Sequence, residues 1–468
     1  MAIESVNPAT NETLRSFEAY APAQVDSLIS TAHAAFAEWS RRPLEQRTEL
    51  VRGAGELLRS NRDELAELAT LEMGKVFKEA AFEVEKAAGF CDYYADRAAR
   101  FLAPRQIEGG QAENWVRYEP LGAILAVMPW NFPYVQVFRF APAMLVAGNV
   151  VLLKHASNVP QCALRIERLF AEAGLPAGAF TTLLIGSGEV ARVLADERVR
   201  AVTLTGSEQA GSQVAAVAGR ELKHSVMELG GSDPFIVLAD ADVADAARKG
   251  ARARTSNTGQ ACINAKRFIV LEEVAEEFEA ALIDEVARLR VGDPMSPETD
   301  IGPLAHQGAV EDLRRQVASS VAAGAAVAVG SCEVDRPGAY VEPMVITGVT
   351  PEMSVFREET FGPVAAVTRV PDERTAIALA NDSAYGLGAS IWTADLERAQ
   401  ELAGELEAGM VFVNEIVVSD ARLPFGGSKR SGYGRELGEW GIHEFTQIKS
   451  IAVSAPGEGA DAATLVAE

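Results

Sequence analysis

The chain is poor in the residues from which cysteine and metal chemistry is usually assembled. Its 468 residues include four cysteines and five histidines. Cys91, Cys162, Cys262 and Cys332 lie far apart and form no CxxC pair. That argues against a disulfide framework and against a zinc site, so no metal is expected. Positive charge is also scarce: 43 Lys and Arg stand against 66 Asp and Glu, a formal net charge of −23. Phosphate binding needs a basic face, so nucleic acid and anionic membrane surfaces are both disfavoured as partners. Apolar runs are interrupted well before twenty residues, and no membrane span is expected. The opening "MAIESVNPATNETL" has neither a basic region nor an apolar core. It does not read as a signal peptide, and a reducing, cytoplasmic setting is expected.

What is present is the composition of a globular enzyme, 48% apolar and 23% charged. The length predicts two or three domains. Residues 24–105 carry helical spacing, as in "VDSLISTAHAAFAEWS", where Val25, Leu28, Ile29, Ala32, Ala35 and Phe36 share a face. "NWVRYE" alternates like an edge strand. From Leu121 to about Leu238 short apolar segments ("GAILAVM", "NVVLLK", "FTTLLI", "AVTLT", "HSVMEL") alternate with helical ones, including "YVQVFRFAPAMLVA". This is the pattern of an open, doubly wound parallel sheet. A second α/β series runs through "PFIVL", "RFIVL", "AAVAVG", "PVAAVTRV", "GASIWT" and "GMVFVN", and "QIKSIAVS" follows a long loop as a last strand. The closing "SAPGEGADAATLVAE" lacks helical periodicity and reads as a frayed tail.

Cys262 sits in "SNTGQACINAKRF", and no histidine lies within forty residues C-terminal of it. A cysteine nucleophile therefore needs its base from elsewhere. Glu228 ends the apolar strand "HSVMEL" and is followed by Gly230 and Gly231, the setting in which open α/β sheets place ligands. A partly desolvated carboxyl there would act as a base near neutral pH, although a solvated turn glutamate also fits the bare pattern. Asn131, between prolines in "MPWNFPYVQVFRF", could offer its amide to an oxyanion or simply close a turn. Gly206 and Ser207 in "LTGSEQAG" could open a helix N-terminus towards phosphate, and Lys154 in "LLKHASN" stands at another strand end.

In this order the motifs "PWNFP", "LLKHAS", "TGSEQAG", "MELGGSDPFIV", "NTGQAC", "EETFGPV" and "PFGGSKRSGYGRE" resemble those of the aldehyde dehydrogenase superfamily, over nearly the whole chain. "KHASNVPQCA", "LGGSDPFIVL" and "AKRF" are most similar to the NADP-linked bacterial succinate-semialdehyde dehydrogenases. The resemblance implies that Cys262 is the nucleophile, Asn131 the oxyanion donor and Glu228 the base that activates water. It implies cofactor contacts from Trp130, Lys154, Ser157, Gly206, Ser207, Leu229, Glu359 and Phe361. Ser157 stands where NAD-preferring members often have a glutamate, so NADP is expected, with NAD as a second acceptor. For the substrate, Arg139 and Ser419 match residues that hold a distal carboxylate. A further arginine of better-known members is replaced here by Ser256, leaving open whether Arg254 substitutes for it.

The implied organisation is two open doubly wound α/β domains with a small β oligomerisation arm. Residues 1–110 and 122–228 form the cofactor-binding domain and 229–430 the catalytic domain. Residues 111–121 and 431–455 form the arm, and 456–468 a tail. A homodimer or homotetramer is expected from such an arm. Two alternatives stay open: a dehydrogenase for another aliphatic or aromatic aldehyde, and a catalytically silent family member.

Overall fold

Two open sheets account for most of the short apolar segments. In the computed structural model, which describes residues 2–109 and 112–454, the first sheet has six strands. Their order is Gly432–Tyr433, His224–Glu228, Val199–Thr205, Ala123–Met128, Val150–His155, Phe180–Thr182. All pairs are parallel except the outermost, Gly432–Tyr433 on His224–Glu228. The chain winds outward from Ala123–Met128, then returns to its other side with Val199–Thr205. Ligands bind at such a reversal, beyond the carboxyl ends of the strands. Trp130, Lys154, Gly206 and Glu228 all belong to that edge.

The second sheet has seven strands: Ala326–Val329, Met344–Thr347, Val364–Val370, Ala265–Leu271, Asp233–Val237, Gly388–Trp392, Met410–Val413. Only the Ala326–Val329 pairing is antiparallel. Asp233–Val237 and Ala265–Leu271 are buried throughout. Alternate residues feed two separate cores: Phe235, Val237, Phe268 and Val270 pack on one face, Ile236, Ile269 and Leu271 on the other. Leu229–Gly231, Cys262 and Phe361 all precede strands of this sheet, so its amino edge meets the carboxyl edge of the first.

Four helices, Pro22–Trp39, Leu44–Ser60, Arg62–Met73 and Phe77–Phe101, occupy the region of N-terminal helical spacing. Several local expectations are corrected. "YVQVFRFAPAMLVA" is two short helices, Val135–Phe138 and Ala141–Ala147. Pro142, which has no N–H to donate, starts the second instead of continuing the first. The hairpin Ala2–Asn7 and Glu12–Glu18 has no apolar alternation to announce it, being exposed along most of its second strand.

Segments expected to form the arm lie in a separate three-stranded antiparallel sheet, Thr446–Val453 on Glu113–Pro120 on Arg105–Ile107. Arg105–Ile107, expected within the cofactor-binding part, pairs with Glu113–Pro120 in this sheet. The segment 431–455 is divided: Gly432–Tyr433 completes the first sheet, and Thr446–Val453 enters the three-stranded sheet. Gly432 makes the former pairing possible. Its φ is +111°, and a Cβ there would lie 1.9 Å from the Met227 carbonyl oxygen. The expected tail, 456–468, lies outside the described residues. Among those described, no helix is long and apolar enough to cross a membrane.

Candidate active site

The loop before Cys262 is held in an unfavourable conformation by buried side chains. Asn257 and Thr258 have φ of 55° and 54°, the left-handed region that non-glycine residues avoid. The Asn257 N–H donates to the Glu79 carboxylate at 3.0 Å, and its Nδ2 donates to the Asn131 carbonyl at 2.8 Å. Gln260 accepts the Ala305 N–H at 2.9 Å. Arg254, wholly buried, donates to the carbonyls of Gly259 at 2.8 Å, Ala265 at 3.1 Å and Thr360 at 3.1 Å. It clamps the loops of Cys262 and Phe361 together and lines neither cavity at Cys262. It therefore does not take over the place vacated at Ser256.

Cys262 stands where two cavities meet. One, of 210 Å³, is lined by Trp130, Gly206, Ser207, Leu229, Glu359 and Phe361, together with Asn131 and Cys262. Six of the eight expected cofactor residues thus share one chamber. The helix Glu208–Arg220 begins at this wall, capped by the Ser207 side chain, which accepts the Ala210 N–H at 3.3 Å. Lys154 and Ser157 lie apart, at the end of the neighbouring strand. Lys154 is mostly buried, which alone lowers its ammonium, and Ser157 is exposed. A chamber with an opening helix N-terminus, two aromatic rings and a carboxylate fits the nicotinamide end of a dinucleotide.

The other cavity, of 380 Å³, is lined by Cys262, Phe132, Gln136, Arg139, Ser419 and Phe425, among others. Arg139 is 3% exposed. Its Nε is ion-paired with Glu436, its guanidinium lies 4.0 Å from the Phe425 ring centroid, and its Nη2 has no partner. Burial pushes the Cys262 thiol up to about 11, against the opposing pull of Arg139 and Lys266. Lys266 is fully buried. It donates to the Gly231 carbonyl at 2.6 Å, the Cys262 carbonyl at 2.8 Å and Glu359 at 2.9 Å, tying the nucleophile's backbone to the cofactor chamber. Asn131 donates one amide proton to the Gln260 carbonyl at 3.0 Å, leaving a second for the chamber.

Glu228 does not open onto either cavity at the thiol. It is 2% exposed, and neither carboxyl oxygen has a partner. The group is seated against Gly426, where a Cβ would stand 2.6 Å from Oε1. Burial first, and then the Glu436 charge, hold this carboxyl well above its ordinary range. Sequence reasoning gave no role to Glu436, Lys266, Gln136 or Phe425. Glu436 lies inside the quoted "GYGRE" and Lys266 inside "NAKRF", but nothing local shows that they converge here.

One thiol at the junction of a nucleotide-type chamber and a substrate-sized cavity is an arrangement suited to an α/β enzyme with cysteine chemistry. Residues 1–451 match the aldehyde dehydrogenase family. A probable NADP(+) succinate-semialdehyde dehydrogenase of Synechocystis sp. is 49% identical over 454 residues, spanning 97% of this chain and 100% of that protein. An NADP(+) succinate-semialdehyde dehydrogenase of Deinococcus radiodurans is 47% identical, spanning 96% and 94%. The crystal structure of succinic semialdehyde dehydrogenase from Streptococcus pyogenes, in complex with NADP+, superposes with a TM-score of 0.94. It is 39% identical and covers 97% of this chain and 100% of its own. The chain belongs to the aldehyde dehydrogenase family.

Proposed function

We propose that this protein oxidises succinate semialdehyde to succinate with NADP, NAD serving as a second acceptor. The observation that carries the reading is the placing of Cys262 between the nucleotide-type chamber and a cavity holding Arg139 and Ser419. The names of its relatives point the same way.

The Cys262 thiol gives up its proton to solvent, and the thiolate sulfur adds to the aldehyde carbon, whose carbonyl electron pair moves onto oxygen. The oxygen of the resulting thiohemiacetal takes hydrogen bonds from the Asn131 amide and the Cys262 backbone N–H. Removing one such donor typically costs about a hundred- to a thousand-fold in rate. NADP, when bound, supplies the acceptor for the hydride that leaves this carbon. The acyl group then remains on sulfur as a thioester. Glu228 removes a proton from water to hydrolyse it, after turning from its seat at Gly426 towards the thiol. Trp130 and Phe361 wall the chamber, and Glu359 offers its carboxylate to ribose hydroxyls. Exposed Ser157 beside Lys154 leaves no carboxylate to repel a 2′-phosphate. The unpartnered Nη2 of Arg139 and the Ser419 hydroxyl are the donors for the distal carboxylate.

Homo-oligomerisation, as dimer or tetramer, belongs to the same reading. The arm strand Thr446–Val453 exposes Ile448 (65%) and Val453 (55%). The edge strand Met410–Val413 borders an apolar 360 Å³ groove with Leu423 and Phe425. A partner's arm would cover such an edge. The scattered, unpaired cysteines fit a cytoplasmic setting. The deciding experiment crosses a panel of aldehydes with NADP and NAD and ranks them by kcat/KM. Succinate semialdehyde with NADP is expected to lead; butanal leading would remove the substrate assignment and leave an aldehyde dehydrogenase of different specificity.

A further inference from the structure

The helix Phe77–Phe101 turns one face to the substrate cavity, carrying Lys78, Glu79, Phe82, Glu83 and Lys86 at helical spacing. Both carboxylates on that face are committed. Glu79 accepts the Asn257 N–H at 3.0 Å. Glu83 is ion-paired with Lys75 and accepts the N–H groups of Tyr134 at 2.8 Å and Val135 at 3.0 Å. Lys78, on the same wall, is paired with Asp300 at 2.7 Å. That leaves Lys86, which among the described residues forms no ion pair. The opposite charges acting on it are Asp420 and Glu83. Asp420 is bound to Arg422 at 2.6 Å, and Glu83 to Lys75. Burial, reinforced by the neighbouring Arg139, lowers the Lys86 ammonium to about 8. A half-buried ammonium near a guanidinium, with no counter-charge of its own, is less favourable in the empty protein than with an anion in the cavity.

Arg139 leaves room for such a partner. Its Nε is held by Glu436, which closes the side-on, two-pronged grip on a carboxylate. The surplus positive charge of this cavity also contrasts with the chain's net −23. Long-range attraction would not bring an anion here, so local cations must hold it. We propose that Lys86 is a second carboxylate-binding residue of the substrate cavity, acting with Arg139 to select aldehydes that carry an anionic group at the end remote from the carbonyl. A flexible four-carbon stem with a compact charge suits a carboxylate whose distance from the carbonyl varies with chain length. The proposal rests on the succinate-semialdehyde reading.

The test measures the ratio of kcat/KM for succinate semialdehyde to that for butanal, with NADP, in wild type, Lys86→Met, Lys86→Arg and Lys86→Glu. Lys86→Met is expected to lower the ratio by about tenfold, through KM for the anionic substrate. Lys86→Arg should recover most of it, and Lys86→Glu should lower it further. Lys86→Gln makes the same comparison if the Met variant does not fold. A ratio unchanged in the neutral variants, or a parallel loss for both aldehydes that Lys86→Arg does not rescue, overturns the proposal. A wild type that prefers butanal overturns the substrate reading and this proposal together. A wild type that prefers succinate semialdehyde, with the ratio untouched in Lys86→Met, removes Lys86 alone.

Discussion

Arg139 and Glu436 form a buried ion pair between residues almost three hundred positions apart in the chain, 3% and 2% exposed respectively. It joins the substrate cavity to the proposed base, because both partners act on the Glu228 carboxyl with opposite sign. The Glu436 charge raises it beyond what burial alone does, and Arg139 lowers it. Glu436 Oε1 has no hydrogen-bond partner.

Replacing Glu436 by Gln removes the like charge beside Glu228 and frees Arg139 Nε. Both changes favour the ionised form of Glu228 and so lower its pKa. The acid limb of the kcat–pH profile is expected to move to lower pH, provided deacylation limits turnover. A shift to higher pH would contradict this electrostatic arrangement.

Glu228→Gln should still release a burst of reduced cofactor and then stall, with the acyl group trapped on Cys262. The burst and the trapped thioester are read by rapid-mixing absorbance and intact-protein mass spectrometry. Steady turnover at the wild-type rate would show that water is activated by another group.

Arg139→Leu tests two roles at once. Loss of the carboxylate donor should raise KM for succinate semialdehyde by at least about tenfold, about 1.4 kcal/mol. Loss of the ion pair leaves Glu436 buried and unpaired, which typically costs about 3–5 kcal/mol of stability. Chemical denaturation measures the second effect. If stability falls while both succinate semialdehyde and butanal lose equally, Arg139 is a structural residue only.

Ser157→Glu places a carboxylate beside Lys154, where the 2′-phosphate of NADP is proposed to bind. KM for NADP should rise far more than KM for NAD, because only NADP suffers the repulsion. Equal KM values before and after the change would locate cofactor selection elsewhere.

In the free enzyme the Cys262 thiol is held at about 11, so its thiolate fraction rises with pH throughout the neutral range. Iodoacetamide alkylation of this thiol should therefore accelerate close to tenfold per pH unit from about pH 7 to 9. Lys266→Met removes one of the two cations opposing burial and should slow alkylation at any pH in that range. Alkylation that levels off near pH 8 in the wild type would refute the high pKa.

Local sequence was enough for the doubly wound pattern, whereas the residues expected around the thiol rested on the resemblance of its motifs, taken together, to the aldehyde dehydrogenase family. Strands buried on both faces, such as "VVLLK" and "PFIVL", appear as short apolar runs. The fold brings Trp130, Asn131, Gly206, Ser207 and Leu229, from three different strand ends, into one chamber. The four-residue strand Met344–Thr347 and the polar N-terminal hairpin carry too little periodicity to be read in this way.

Tertiary structure alone decided how charges were paired. Arg254 was chemically free to serve the substrate, but buried packing turned it onto backbone carbonyls. Arg139 acquired Glu436, Glu83 acquired Lys75, and Lys86 was left without a counter-charge. Glu228 was seated against Gly426, outside both cavities, although its strand end was correctly anticipated. A strand or helix is dictated by neighbours within a few residues. An ion pair is decided by which charges the meeting of two sheets brings together after water has been excluded, and no sequence periodicity records that.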